Sequence, residues 1–225
     1  MARFARVVVP GYPHHVTHRG NHRQTVFFSD SDRQVYLRLL KDFFARYSVR
    51  TLGYCLMSNH AHLLLVPESP RSLALGVGRL MNDYARWQHT QCNQTGHLWQ
   101  NRYFSCPVDE DRIWDVLRYV ELNPVRAHMV QQAWDWPWSS ATAHVCGIDA
   151  SGLVEMNPWA QEHDPDSWQR SLVEGAIDSA ATEQIRIATR TGRPFGSHEF
   201  IRHLEKRLGR RLVPSKGGRP KNVVS

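Results

Sequence analysis

VRTLGYCLMSNHAHLLLVPE, residues 49–68, is a pair of runs rich in apolar, β-branched and aromatic residues, divided by Ser58 and Asn59. Ser and Asn favour turns because their short side chains hydrogen-bond nearby backbone, so the stretch predicts a tight hairpin with His60 at or near the start of its second strand. Residues i and i+2 of a strand share a face, which sets His60 and His62 side by side, roughly 6.5–7 Å apart along the backbone. This is the only His-x-His among 13 histidines. Two imidazoles so placed can converge on one ion, or they can be partly buried histidines held by backbone carbonyls; the tripeptide alone leaves both readings open.

Working outward, PHHVTHRGN (13–21) alternates and breaks at Gly20, which predicts a strand running into a loop. From Ser29, SDSDRQVYLRLLKDFFARY opens with a cap-like acidic turn and puts Val35, Leu39, Leu40, Phe43 and Phe44 on one stripe, the pattern of a helix. After the hairpin, a helix is predicted from about Ser72 to Cys92 despite Gly76 and Gly78. A short strand follows in RYFSCPV, then an acidic-started helix in DEDRIWDVLRYVELNPV that ends near Pro124. Strand, helix, strand, strand, helix, strand is the split βαβ order. The predicted fold is therefore α+β, a ferredoxin-like βαββαβ domain whose antiparallel sheet carries helices on one face.

Composition changes after about residue 145. Pro, Asp, Glu and Ser gather around MNPWAQEHDPDSW, which reads as a linker or a loosely packed extension. Helical patterns near 179–190 and 197–209, separated by TGRPFG, read as a helix pair packed on the main domain, with a DNA-reading element as the alternative. The division is a catalytic domain over 1–147 and a helical, basic C-terminal extension over 148–225.

The 225 residues include 28 Lys and Arg against 21 Asp and Glu, a net charge of +7. Residues 202–221 hold eight of those bases and one acid, and without them 20 of each remain. The body is balanced and the end of the chain carries the polyanion signal, with Arg210, Arg211, Lys216, Arg219 and Lys221 as candidate DNA contacts; a solvated tail is the plainer reading. No apolar run is long enough to cross a bilayer, and the start lacks the apolar core of a signal peptide, so the cytoplasm is the default location, on the nucleoid when DNA is bound. The four cysteines are far apart without C-x-x-C, which argues against a zinc ribbon or a disulfide framework.

The predicted helix in DRIWDVLRYVELNPV has an apolar stripe of Ile113, Val116, Leu117 and Val120, with Tyr119 and Asn123 one turn apart on its margin. Tyr119 on its own reads as an amphipathic anchor with its ring packed and its hydroxyl wet. The residues together carry a resemblance. HHVTHRGNHRQ, MSNHAHLLL, LWQNRYF, RYVELNPVRAHMV and DWPWSS, in unbroken order over roughly 10–145, resemble the REP-associated tyrosine transposases, relatives of the single-strand transposases with a His-hydrophobic-His motif and one catalytic tyrosine.

The resemblance implies that His60 and His62 are the metal-binding pair, Tyr119 the nucleophile and Asn123 a third ligand. Ala61 departs from the larger hydrophobic residue usual at the centre of the motif; it points away from the ion, so the departure bears on packing beneath the hairpin. A phosphodiester repels a nucleophile and a free tyrosine is mostly protonated at neutral pH, so a divalent ion would neutralise and orient. Neutral nitrogen and oxygen ligands fit Mg²⁺ or Mn²⁺, although two histidines would also accept Zn²⁺. The implied activity is cutting and rejoining of single-stranded or hairpin DNA through a 5′-phosphotyrosine. The alternatives are a noncatalytic DNA-binding regulator on the same scaffold and a metal-dependent nuclease that uses water. A tyrosine helix could complete its own His pair or a neighbour's, so monomer and homodimer both remain open.

Arg19, Asn21 and Arg23, in the loop after the first strand, and Arg102 in LWQNRYF are donors suited to phosphates or base edges. Trp99 reads as core. KGGRPK resembles the centre of an AT-hook only weakly, and a nonspecific basic tail is preferred. Alternation puts His14 and His18 on one face and His15 on the other, against a second metal cluster there. His198-Glu199 has Arg at 202 where H-E-x-x-H requires His, and no Walker loop is present.

Overall fold

The computed structural model describes residues 5–93, 95–175 and 179–213. Among them, β1 (His14–Arg19), β2 (Val49–Leu56), β3 (His60–Pro67) and β4 (Phe104–Pro107) pair antiparallel in the order β2-β3-β1-β4. With α1 (Asp30–Arg46) between β1 and β2, and α2 (Ser72–Cys92) between β3 and β4, this is the expected ferredoxin-like arrangement.

Local chemistry fixes the boundaries. Ser29 caps α1 in a capping box with Asp32, whose carboxylate also accepts from the amides of Phe28 and Ser29. α2 ends at Asn93, whose φ of 48° is the left-handed conformation that stops a helix. β3 is a central strand covered on both sides, and its run Leu63, Leu64, Leu65 is fully buried instead of alternating with polar residues. Each such leucine contributes roughly 1.5–3 kcal/mol through burial.

The helices of the βαββαβ unit, α1 and α2, lie on one face, over Val16, Ala61, Leu63 and Leu65. Ala61 thus faces away from the histidine side of the sheet. The opposite face is covered by later elements: α3 (Ile113–Glu121), α4 (Asn123–Arg126), α5 (Ala141–Cys146), α6 (Asn157–Ala160), α7 (Pro165–Glu174) and α8 (Ser179–Thr191), and α9 (His198–Leu208) follows in a cluster of its own. α3 packs on β2 and β3, and α8 on β4 and β1. Strand β2 is a glycine where α3 presses on it: a Cβ on Gly53 would meet Leu117 Cδ1 at 2.2 Å and Ser140 Oγ at 2.9 Å.

The extension differs from the expected loose packing. Trp159 and Trp168 of the MNPWAQEHDPDSW stretch are buried, and Trp168 donates through Nε1 to Glu121 Oε2 at 2.9 Å. Glu121 is fully buried on α3, and its Oε1 accepts from Ser140 Oγ and from His144 Nδ1, both at 2.6 Å. One carboxyl group thereby ties α3 to the start of α5 and to α7. The polar composition of the stretch conceals two large apolar anchors. α9 packs Phe200 and Leu204 on Val7 and Val9, while Arg210 donates to the carbonyl of Ala5 at 2.9 Å. None of the described helices is long and apolar enough to cross a membrane.

Candidate active site

β1 and β3 pair so that Thr17 lies opposite His62 and Arg19 opposite His60. Directly opposed residues share a face, and this is the face α3 crosses. The result is a cavity of about 720 Å³ into which β1, β3, α3, α4 and α8 all contribute. His60, His62, Tyr119 and Asn123, the set that the resemblance implies, all line it, as do Arg19 and Arg23.

His60 and His62 have ring centroids 4.9 Å apart at 72°. Tyr119 is 3% exposed, its ring edge-on to His62 at 5.7 Å and to His15 at 5.6 Å, so it is no wet surface anchor. The helix carrying it breaks at Leu122, and Asn123 opens the short α4 ahead of Pro124 instead of continuing the same helix as expected. Proline cannot donate the amide that continuation needs. Asn123 stays beside Tyr119 nonetheless, because its Nδ2 donates to the carbonyls of Tyr119 at 3.1 Å and Val120 at 3.0 Å.

These bonds decide what the site can hold. Asn123 uses its amide N–H groups on the helix, which leaves Oδ1 as an acceptor at the cavity. Asn59 donates through Nδ2 to the carbonyl of Arg23 at 3.0 Å, so its Oδ1 accepts from His60 Nδ1 at 2.6 Å. His60 therefore carries its proton on Nδ1 and a lone pair on Nε2. His62 Nδ1 lies 3.0 Å from His15 Nε2, which leaves its Nε2 for the cavity. Burial pushes His60 down to about 3, helped by the charge of Arg19, and holds His62 well below the usual imidazole value. Both rings are neutral at physiological pH, the state in which imidazole binds a metal. Two imidazole nitrogens and one amide oxygen suit a divalent ion, and among the described residues no cluster of three His, Cys, Asp or Glu side chains competes with them.

The walls are cationic. Arg126 lies 4.4 Å over the ring of Tyr119 and donates to its carbonyl at 2.7 Å. Arg186 and Arg190 enter from α8. Arg102 lines a neighbouring groove with Arg79 and Arg86, which meets the cavity at Gln100. Asn21 lies in the turn after β1 outside the cavity, its amide bonded to the carbonyl of Leu98. Trp99 is buried and donates to Met81, a core position. Arg211 is exposed beyond α9, and Lys216, Arg219 and Lys221 lie outside the described residues.

Sequence reasoning missed His15, Arg126, Arg186, Thr189 and Arg190. Alternation along β1 carried the signal for His15, since His15, Thr17 and Arg19 share a face. Arg186, Thr189 and Arg190 share one helical side at i, i+3 and i+4, but nothing local tells which surface that side meets.

Two histidines, a tyrosine and an amide thus line one cavity on a ferredoxin-like sheet. The family model "Transposase IS200 like" matches residues 9–123, just over half the chain and the whole run from β1 to Asn123. The chain belongs to this family of transposases. A Haemophilus influenzae protein provisionally described as a REP-associated tyrosine transposase is 28% identical over 105 residues, which cover 42% of this chain and 60% of that protein's length. The solved structure of a REP-associated tyrosine transposase bound to a REP hairpin superposes with a TM-score of 0.54 at 17% identity, covering 69% of this chain and 90% of that one. The likeness shows that the fold is shared.

Proposed function

We propose that this protein is a metal-dependent, single-strand DNA endonuclease and strand transferase that acts on hairpins formed by palindromic repeats. The observation that carries the reading is the burial of Tyr119 edge-on to His62, in one cavity with His60 and Asn123. A transposase family and a fold shared with a protein captured on a REP hairpin support the substrate class.

His60 Nε2, His62 Nε2 and Asn123 Oδ1 would hold Mg²⁺ or Mn²⁺, which supplies charge neutralisation at the scissile phosphate when bound. The protein's own groups do the rest. Tyr119 is held by α3 and by Arg126, and its phenol oxygen forms the new bond to phosphorus as the bond to the 3′ oxygen breaks. The phenol gives up one proton and the leaving 3′ oxygen takes one up, so neither water nor ATP is consumed. The product is a 5′-phosphotyrosine and a free 3′ hydroxyl. That linkage conserves the bond energy, so another 3′ hydroxyl can displace the phenolate and rejoin the strand. Arg19, Arg23 and Arg126 are suited to the phosphates flanking the cut. The groove with Arg79, Arg86 and Arg102 would carry the strand onward from Gln100.

The test is labelled hairpin DNA with Mn²⁺ or Mg²⁺ on a denaturing gel. Label should migrate with wild-type protein and with neither Tyr119→Phe nor His62→Ala, the adduct falling by about 10⁴-fold or more. Cleavage that persists in Tyr119→Phe would assign the attack to water. Binding without cleavage or adduct in either metal would make the protein a DNA-binding regulator.

A further inference from the structure

Thr189 lies on α8, 174 residues along the chain from the His15 imidazole it touches. We propose that Thr189 and His15 form a relay that fixes the proton of His62 on Nδ1, so that the C-terminal extension sets how well the site holds its metal. The proposal rests on the metal-ligand reading of His62 given above.

The proton positions follow one from another. The Thr189 hydroxyl has one proton, which it donates to the carbonyl of Ile185 at 2.8 Å. Toward His15 Nδ1, at 2.7 Å, its oxygen can therefore only accept, and His15 carries its N–H on Nδ1. A neutral imidazole has one N–H, so His15 Nε2 presents a lone pair. His62 Nδ1, 3.0 Å away, must donate to it, and the remaining lone pair of His62 is on Nε2, at the cavity.

Geometry agrees with this chain. The rings of His15 and His62 have planes within 5° and centroids 5.2 Å apart. With an N···N distance of 3.0 Å, two parallel rings reach that separation only edge to edge in nearly one plane, the arrangement of an in-plane N–H···N bond. Thr189, His15 and His62 are all buried along the wall of the cavity. The Cys106 thiol, 3.4 Å from Thr189 Oγ1, is left to donate, because the hydroxyl proton is already committed.

Thr189 is a positioning residue that acts through another. Without its hydroxyl, the Nδ1–H of His15 loses its acceptor, and the ring is released to the tautomer with its proton on Nε2. That proton would point at His62 Nδ1 and force the His62 proton onto Nε2, which closes the lone pair at the cavity. Partners behind a metal-bound histidine commonly change affinity by about 10- to 100-fold.

The experiment has two readouts, neither of which is activity. Long-range ¹H–¹⁵N spectra of the metal-free wild-type protein should show both His15 and His62 protonated on Nδ1; a proton on Nε2 of His62 would overturn the relay without any substitution. Calorimetric titration with Mn²⁺, in the absence of DNA, should show binding weakened about 10-fold in Thr189→Val and restored in Thr189→Ser. Equal affinity in wild type and Thr189→Val would overturn the relay and leave the metal reading standing. A wild-type protein that binds no Mn²⁺ would overturn the metal reading, and the relay with it.

Discussion

One strand sends histidines to both faces of the sheet, and the faces use them in opposite ways. Toward α1 and α2, His14 donates to the carbonyl of Tyr12 and accepts from the amide of Val9, while His18 Nε2 is bonded to the Tyr36 hydroxyl at 2.7 Å. His18 also stands edge-on to Trp99 at 4.7 Å, within a cluster where Tyr36, Phe27, Tyr84 and Trp99 meet at tilted or edge-on angles. On the other face, His15 passes a hydrogen-bond chain from Thr189 to His62, and that chain ends at a cavity. A histidine's role is thus decided by where the chain of bonds through its second nitrogen terminates. Backbone groups and the Tyr36 hydroxyl end it on the first face, and an open acceptor ends it on the second.

The faces also differ in how their helices are held. α1 and α2 rest on contiguous apolar and aromatic area, whereas α3 adds to its own apolar packing a buried Glu121, a carboxyl group with three donors and no exposure. Removing one member of such a buried set leaves uncompensated polar groups. Glu121→Ala should therefore cost about 3–5 kcal/mol in urea unfolding, the largest stability change we expect. Native-state hydrogen exchange should report faster opening in α3, α5 and α7 with protection kept in α1 and α2. Equal loss of protection on both faces would show that the sheet couples them and would break the contrast.

Burial gives the closed face a pH signature that the buried histidines of the open face share in direction. It holds His14 down to about 4, so the native state keeps this ring neutral while the unfolded chain takes up a proton as pH falls through about 6.5. The unfolded state then binds more protons, and stability is lost on acidification between about 6.5 and about 4. The slope from this group is up to about 1.4 kcal/mol per pH unit. Burial pushes His18 down to about 3, in the same direction. Urea unfolding at about pH 7, 6 and 5 should show this loss for wild type and a shallower one for His14→Gln. An identical slope in the variant would mean that His14 takes up its proton as readily in the folded as in the unfolded chain.

Much of this arrangement is legible in the residue order, and the rest is not for a definable reason. Period-two alternation, the Ser29 cap and the Ser58-Asn59 turn are local features, and the elements they predict are present. α2 runs through its two glycines, of which Gly76 lies close against Val49 and Phe44 while Gly78 faces open space. His60, His62, Tyr119 and Asn123 could be named because each sits in a short motif. Thr189 could not, since it reaches His15 only after the sheet has paired and α8 has docked on it. Trp159 and Trp168 were hidden differently, by a composition that averages two buried rings with the acidic residues around them.

The smallest expected effect concerns the entrance to the open face. Arg102 is exposed beside Arg79 and Arg86 in a groove that shares Gln100 with the Tyr119 cavity, so it should act on bound DNA through charge alone. An arginine that neutralises one phosphate releases about one counterion, so Arg102→Ala should reduce the slope of log affinity against log salt for a hairpin with a single-stranded flank by about 0.7–0.9. The same substitution should leave the slope for the bare hairpin stem unchanged, because the groove is assigned to the strand that continues past the cut. A slope reduced equally for both DNAs would place the stem in the groove, and the single strand would have to leave the cavity on the side of Arg186 and Arg190. That outcome would keep Tyr119 and its histidines in place and reverse the direction in which the DNA crosses this face.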